Sequence, residues 1–197
     1  MANEMMTFVR VVSKKPEVAV RLQEIFKSRK GNHEVDALDV INNIKGTSYC
    51  YKNEKEDFDV DVDFPSNQLW EEMIGPKWMF LEYDHAELPE DCNIVLTSAW
   101  AVPIPFLLQL RAELQKVDED CYIKGTYEDE SYDPSGAFIA GKFDYDDIED
   151  NDEIYDWDEA NEDDYYSEQW SMTLHDMMDN LETAYLDYVT EMEENPK

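Results

Sequence analysis

Residues 93–114, NIVLTSAWAVPIPFLLQLRAEL, decide the fold because a strand pattern and a helix pattern follow each other directly. The first eight residues of this stretch are typical of a strand. Pro103 and Pro105 then stand where a helix can begin, since proline is tolerated in the first helical turn. Apolar residues follow at helical spacing, at Phe106, Leu107, Leu110 and Leu114. The stretch therefore predicts one strand–helix unit of an α+β domain.

Further elements are predicted on both sides of this unit. Strands are predicted at 5–12, 77–83, 121–127 and 137–143, and helices after Ser13, over 35–44 up to Gly46, and after Ser66. A helix capped by Ser13 would end at Gly31. After Ser167, apolar residues at helical spacing form one stripe: Trp170, Leu174, Met177, Leu181, Tyr185, Tyr188 and Met192. We expect a body over 1–143, an acidic segment over 144–166 and a helix over 167–194 that packs on the body.

Negative charge is concentrated toward the C-terminal end of the chain. The formal net charge is −32 over 197 residues, and residues 126–197 hold 25 acids against two bases, Lys142 and Lys197. By contrast, residues 1–33 hold 7 Lys and Arg against 3 acids. Such a field repels nucleic acid and membrane surfaces and attracts basic proteins. We therefore expect a basic protein partner, with no direct nucleic-acid or membrane binding.

The composition otherwise fits a folded protein with reduced thiols. Aromatic residues make up 13% of the chain, more than an acidic disordered chain would carry. No C-x-x-C spacing joins Cys50, Cys92 and Cys121, so a zinc knuckle is not predicted. Trp78 and Trp100 fall in predicted strands and are expected in the core. The N-terminal residues lack a signal-peptide pattern, so a cytoplasmic protein is expected.

The segment 144–164 contains thirteen acids and no base, and three interpretations of it differ in function. A calcium loop needs a glycine at its sixth position, and no glycine occurs there. A folded polyanion could instead occupy a cleft that normally binds DNA or RNA. A solvated acidic linker is the third possibility, although interleaved aromatic residues are typical of interfaces. The candidate partner-binding residues are Asp144, Asp146, Asp147, Glu149, Asp150, Asp152, Glu153, Tyr155, Asp156, Trp157, Asp158 and Glu159.

Other candidate sites carry weaker patterns. Apolar and acidic residues alternate over 57–64, which predicts a strand with one carboxylate face that could hold a cation or remain in solvent. The three histidines are scattered, so no metal triad is predicted, and His85 beside Asp84 is expected to be a surface pair. The sequence therefore predicts no catalytic residues, no metal and no cofactor.

Residues 70–141 contain four motifs that matter here: Ile74-Gly75-Pro76-Lys77-Trp78, Thr97-Ser98-Ala99-Trp100, Tyr127-Glu128 and Gly141. This part of the chain resembles the YubB-type ferredoxin-like domain family of plasmid- and phage-borne proteins. The family motif Ser-Ala-Trp-Ser-Pro-Pro is only partly kept, because the chain has SAWAVPIP. The resemblance implies a ferredoxin-like antiparallel or mixed sheet with helices on one face, and it brings no catalytic residues.

The resemblance also implies a mobile-element context, often of T-even-type phages. In that context the sequence predicts a non-enzymatic counter-defence inhibitor in the host cytoplasm. Such an inhibitor would bind a basic nucleic-acid-processing host protein, such as a restriction enzyme or a toxin of a toxin–antitoxin pair, and could do so by polyanion mimicry. The alternative is an acidic scaffold or assembly protein whose C-terminal helix binds a partner helix or a second copy, which would give a homodimer.

Overall fold

The structure is a computed structural model that describes residues 3–29, 35–50, 65–130, 135–142 and 168–194. Side chains of the last range are described from residue 174 onward. The acidic strand predicted over 57–64 and the acidic segment 144–166 lie outside these ranges.

Five antiparallel strands form one sheet in the order β2-β3-β1-β4-β5. The two edges of the sheet are β2 and β5, and the first strand of the chain lies at its centre. The strands are β1 (Glu4–Val12), β2 (Met79–Asp84), β3 (Asn93–Ala99), β4 (Tyr122–Asp129) and β5 (Ser135–Ala140).

Five α-helices and one 3-10 turn accompany the sheet in the described residues. The α-helices are α1 (Glu17–Ile25), α2 (Ala37–Lys45), α3 (Asn67–Met73), α4 (Ile104–Gln115) and α5 (Glu168–Glu194), and the 3-10 turn is Pro89–Asp91. The α+β class with an antiparallel sheet and a C-terminal helix is therefore confirmed.

The main core lies between one face of the sheet and helices α1 to α4. Strand β1 alternates strictly, with Met5, Val9 and Val11 buried and Met6 and Phe8 exposed on the opposite face. The predicted apolar positions of α4 are all buried in this core: Phe106, Leu107, Leu110 and Leu114. The buried side chains of β1, which alternate along the strand, therefore lie in one apolar layer with the buried side chains of α4.

Helix α5 lies on the opposite face of the sheet, over β4 and β5. Tyr122 and Ile139 point to this face, and they form a second apolar cluster with Tyr185 of the helix. Leu181 and Val189 pack at its margin. The described helices thus cover one face of the sheet and only part of the other.

Helix boundaries follow the sequence pattern where the cap is local and depart from it where a distant side chain binds the helix end. Ser66 caps α3 as predicted, since its hydroxyl accepts from the Leu69 backbone, and Gly46 ends α2 with φ +66°. The predicted end of the first helix at Gly31 is wrong, because α1 ends at Ile25. The reason is that the side-chain amide of Asn43 binds the carbonyl of Ile25 at 2.9 Å and so fixes the helix terminus.

Two further expectations are corrected. Ser13 does not cap α1, because its hydroxyl donates to the carboxylate of Asp118 at 2.6 Å and the N-cap position is Pro16. Trp100 is not a core residue, since its side chain is 56% exposed. Strand β3 ends at Ala99, and Trp100 adopts φ +62°, which turns the residue out of the strand. The three cysteines are free and buried, which confirms the expected thiols.

Candidate functional site

The candidate partner-binding residues at positions 144–159 lie outside the described residues. The part of the acidic surface that the structure does describe is the C-terminal helix. Residues 168–194 contain eight acids and neither Lys nor Arg. Helix α5 is therefore the part of the acidic surface whose geometry the structure gives.

Helix α5 separates apolar and acidic side chains onto opposite sides. Leu174, Met177, Met178 and Tyr185 are buried. At 100° per residue, Asp176, Asp187 and Glu194 fall on nearly the same line, opposite Tyr185. We call the exposed carboxylates on this outer side the acidic face: Asp176, Asp179, Asp187, Glu191 and Glu194.

The spacing of the acidic face can be compared with that of DNA. From Asp176 to Glu194 the helix rises about 27 Å, so the five carboxylates give one charge per about 6 Å of axis. Duplex DNA carries one charge per about 1.7 Å. The acidic face alone is therefore a weaker polyanion than a duplex. Imitation of nucleic acid would need the thirteen acids of 144–164 in addition.

An ion pair under the helix anchors α5 to β4. The ammonium of Lys124 donates to Glu182 at 2.5 Å, and the hydroxyl of Tyr122 donates to the same carboxylate at 2.6 Å. Burial alone would raise the pKa of Glu182, but these two hydrogen bonds outweigh it and hold the pKa below its ordinary value. Burial and the adjacent carboxylate both raise the pKa of Tyr122. Glu182 is therefore an anchoring acid, unlike those of the acidic face.

A second set of contacts fixes the later turns of α5 to the end of β5. The hydroxyl of Tyr185 accepts from the backbone N–H of Lys142 at 3.0 Å. The ammonium of Lys142 lies 2.8 Å from Glu193 and 2.9 Å from Asp120. The hydrogen bond to Glu193, and then that to Asp120, raises the pKa of Lys142. One of the two bases in residues 126–197 is thus used to hold the acidic helix.

A cleft of about 810 Å³ opens beside this contact, between residues 12–15 and the helix. Its apolar wall includes Val12, Leu186 and Val189. Two of its cations are paired with acids, since Lys15 lies 3.3 Å from Asp118 and Lys142 bridges two carboxylates. Burial alone would raise the pKa of Asp118, but hydrogen bonds from Ser13 and Lys15 lower it. The charges of the cleft largely satisfy one another and support the fold.

The described residues offer little to a nucleophilic mechanism. Burial raises the pKa of the Cys121 thiol to about 12, so the thiol is protonated near neutral pH. The ring nitrogen of His85 lies 2.8 Å from the side-chain nitrogen of Gln23. Within the described ranges, no group of three His, Cys, Asp or Glu side chains could hold a metal ion.

The motifs at 74–78 and 97–105 meet in space and have a packing explanation. The Ala99 backbone N–H donates to the carbonyl of Trp78 at 3.2 Å. Gly75 has φ +90°, and a Cβ there would lie 2.8 Å from the ring of Pro105. The indole of Trp70 donates to the Pro76 carbonyl at 2.8 Å. These residues form a tight junction between α3, the start of α4 and the ends of two strands.

No protein-family model, curated protein or solved structure matches this chain. Among the described residues, no helix is both long enough and apolar enough to cross a membrane.

Sequence reasoning missed the anchors of α5 and the exposed side chains on the sheet. Lys124 and Glu182 are 58 positions apart, and nothing in the local pattern of either one indicates the pair. The exposed Met6 and Phe8 carried a detectable signal, because strand 5–12 is apolar at both odd and even positions except at Thr7 and Arg10. A strand that is apolar on both sides predicts that both faces of its sheet are partly covered.

Proposed function

We propose that this chain is a non-enzymatic binding protein whose acidic surface engages a basic surface of a partner protein. The observation that supports this most directly is the seating of α5. Its apolar side is buried on β4 and β5, so its acidic face is held outward on a folded support. Charge presented in this way speeds encounter with a basic partner and sets specificity.

A finer proposal concerns the partner. We infer that it is a basic nucleic-acid-processing protein of a host cell, such as a restriction enzyme or a toxin, and that the chain acts as a phage-type counter-defence inhibitor. In support, residues 126–197 hold 25 acids against two bases, which is the charge pattern that a DNA- or RNA-binding cleft attracts. Aromatic residues such as Tyr155 and Trp157 would add affinity there.

The resemblance to the YubB-type ferredoxin-like family is likewise a proposal. Strands β1 to β4 lie in the order β2-β3-β1-β4, with helices between β1 and β2 and between β3 and β4. A split βαβ sheet that β5 extends by one edge strand would have this order, which supports the proposal. The junction of Gly75 with Pro105 supports the proposal, since it joins the two motif stretches.

Self-association through the C-terminal helix remains the alternative. It would use the apolar stripe that α5 buries on its own sheet through Leu181, Tyr185 and Val189. On the outer surface of the described helix, Leu186 and Tyr188 are each 46% exposed. A dimer through the part of α5 whose side chains are described would therefore use these two residues or detach α5.

The proposed function is tested by capturing partners from host lysate at low salt and measuring how the captured complex responds to charge. The test variant carries Asp176→Asn, Asp187→Asn and Glu191→Gln on the acidic face. We expect it to weaken binding about tenfold at low salt, with a smaller difference at high salt because surface charges are screened.

The matched control removes three exposed acids elsewhere on the body: Glu71→Gln, Glu87→Gln and Glu119→Gln. It changes the net charge equally but leaves the acidic face intact. Binding that is equally strong in both variants and unchanged by salt would contradict the proposed function. Displacement of labelled duplex DNA from the captured partner tests the finer proposal of a nucleic-acid cleft.

A further inference from the structure

The half of the sheet that α5 does not cover exposes an apolar surface. On β2, β3 and β1 the paired residues Phe80, Thr97 and Met6 form one row across this face. The next row is Glu82, Val95 and Phe8. Phe80 is 67% exposed, Met6 38% and Phe8 37%, which is unusual for three large apolar side chains on neighbouring rows. We call Met6, Phe8, Phe80 and Val95 the open face.

Aromatic side chains extend the open face at the edge of β2. The rings of Trp78 and Phe80 lie 5.4 Å apart. Trp100 follows Ala99, whose backbone N–H donates to the carbonyl of Trp78, and the Trp100 side chain is 56% exposed. Its φ of +62° is costly for a bulky residue, and such backbone strain is concentrated at binding sites. Exposed Trp and Phe side chains are also the types that anchor interfaces.

Acidic side chains surround the open face. Glu82 and Asp84 on β2 are exposed and share this side of the sheet, as does Glu4 on β1. Glu128 of β4 pairs with Met6 on the same side. The strand residues of this face include two cations, Arg10 and Lys124, and Lys124 is bound to Glu182. We call Glu4, Glu82, Asp84 and Glu128 the acidic rim. An apolar centre with an acidic rim is complementary to an apolar surface flanked by Lys and Arg.

The width of the open face fits one helix. The three strands β2, β3 and β1 span two strand spacings, or about 10 Å, which matches the diameter of an α-helix with its side chains. Helix α5 already covers the neighbouring pair of strands, β4 and β5. The centre of the open face lies two and a half strand spacings, or about 12 Å, from the midline of β4 and β5, so a second helix could lie on this face beside α5 without a clash.

We propose that the open face docks a Lys- and Arg-rich amphipathic helix of the partner protein. The apolar side of that helix would cover Met6, Phe8 and Phe80, and its cations would meet the acidic rim. A second copy of this chain fits less well, because two acidic rims in a protein of net charge −32 would repel each other. This inference rests on the proposed function, since it specifies where and how a basic partner binds.

The test uses two labelled synthetic peptides of leucine and lysine with the same composition. One has the amphipathic helical pattern, and the other has a scrambled order that keeps the charge but not the apolar side. Fluorescence anisotropy measures the affinity of the full-length protein for each. We expect the amphipathic peptide to bind at least about tenfold more tightly, because only this peptide can cover the open face.

The site is located with the double variant Met6→Ala and Phe80→Ala. Both side chains are exposed, so the fold should be retained, as circular dichroism will check. The control is Val20→Ala with Leu88→Ala, two exposed apolar residues elsewhere at 55% and 46% exposure. We expect the test variant to lose about tenfold in affinity for the amphipathic peptide and the control to lose little. Bound peptide should also protect Met6 from oxidation by peroxide, as measured by mass spectrometry.

Each other outcome has a definite meaning. Equal binding of both peptides, or no effect of the test variant, overturns the docking proposal. The proposed function survives that result if the substitutions on the acidic face weaken the binding of both peptides. If neither peptide binds and the acidic-face variant also leaves lysate capture unchanged, both proposals fail. If the native protein sediments as a dimer and the Met6→Ala and Phe80→Ala variant as a monomer, the occupant is a second copy and the helix proposal is overturned.

Discussion

The seating of α5 can be tested at Gly141, which directly follows β5 and lies against Tyr185 of the helix. A Cβ at this position would lie 2.0 Å from the Tyr185 hydroxyl oxygen and 2.3 Å from the ring carbon that carries it. Both distances are far below van der Waals contact. Gly141→Ala therefore forces either the tyrosine ring or the strand end to move, and with it the turn of α5 that carries Tyr185.

The cost lies between two limits. Local adjustment of an overpacked contact costs about 1–3 kcal/mol. Complete loss of the Tyr185 contact would expose a ring that is now 6% accessible. At about 25 cal/mol per Å² and roughly 150–250 Å² per aromatic side chain, that limit is about 4–6 kcal/mol. The hydrogen bond to Lys142 adds about 1 kcal/mol. Because the molecule takes the cheaper route, we expect Gly141→Ala to lower the free energy of unfolding by about 1–3 kcal/mol.

The assay combines urea unfolding with hydrogen exchange resolved along the chain. Exchange should accelerate most in residues 174–194, because the damaged contact is the one that holds α5. In a background of Tyr185→Ala the same glycine substitution should cost little, since the clashing ring is absent, which gives a coupling energy of about 2 kcal/mol. Gly46→Ala is the control without a clash, as no atom lies within 4 Å of a Cβ there; its φ of +66° is strained for alanine, so it should cost about 1–2 kcal/mol equally in both backgrounds. Additive costs in the two backgrounds, or faster exchange confined to α2, would refute the reasoning.

Three further predictions follow from buried contacts. Gly125→Ala should prevent folding or cost more than Gly141→Ala in urea unfolding, because its Cβ would lie 1.8 Å from the backbone oxygen of Phe8, which cannot rotate away. Glu182→Gln should cost about 1–3 kcal/mol near neutral pH by losing its charged hydrogen bond to Lys124. Since the folded-state pKa of Glu182 is lowered, the stability difference between the native protein and the Gln variant is present above the unfolded-state pKa of about 4.3. This stability difference should shrink when urea unfolding is measured at more acidic pH. Cys121 should resist alkylation by iodoacetamide in the native protein and react after unfolding, as mass spectrometry will show, because its thiol is buried and its pKa is about 12.

Local patterns predicted the elements that have strong periodicity. Strand β3 and helix α4 occur where residues 93–114 indicated them, and all four predicted apolar positions of α4 are buried. The same logic failed at the end of α1, where the pattern would allow more helix. That boundary depends on Asn43, which lies 18 positions after Ile25. A boundary set by a tertiary hydrogen bond cannot be read from the helix itself.

The candidate site was predictable in charge but not in geometry. Composition alone indicated an acidic surface and a basic partner. It could not show that Glu182 serves as an anchor while Asp179 and Asp187 point outward, since all three are acids on one helix. Their roles differ because Lys124 stands beneath only one of them. Trp100 shows the same limit, because its exposure results from a single positive φ at the end of β3.

The acids of α5 have two roles, because some anchor the helix to the sheet and others face outward, where a partner could bind. The carboxylates of the acidic face repel one another, and the helix contains no cation of its own to offset this. The sheet supplies two, Lys124 and Lys142, and both meet acids that face inward or toward the strand ends. The acidic face is exposed, so a basic partner would lower the repulsion among its carboxylates. On this argument partner binding and the seating of α5 stabilise each other, and a partner that binds the acidic face should also slow hydrogen exchange in the helix.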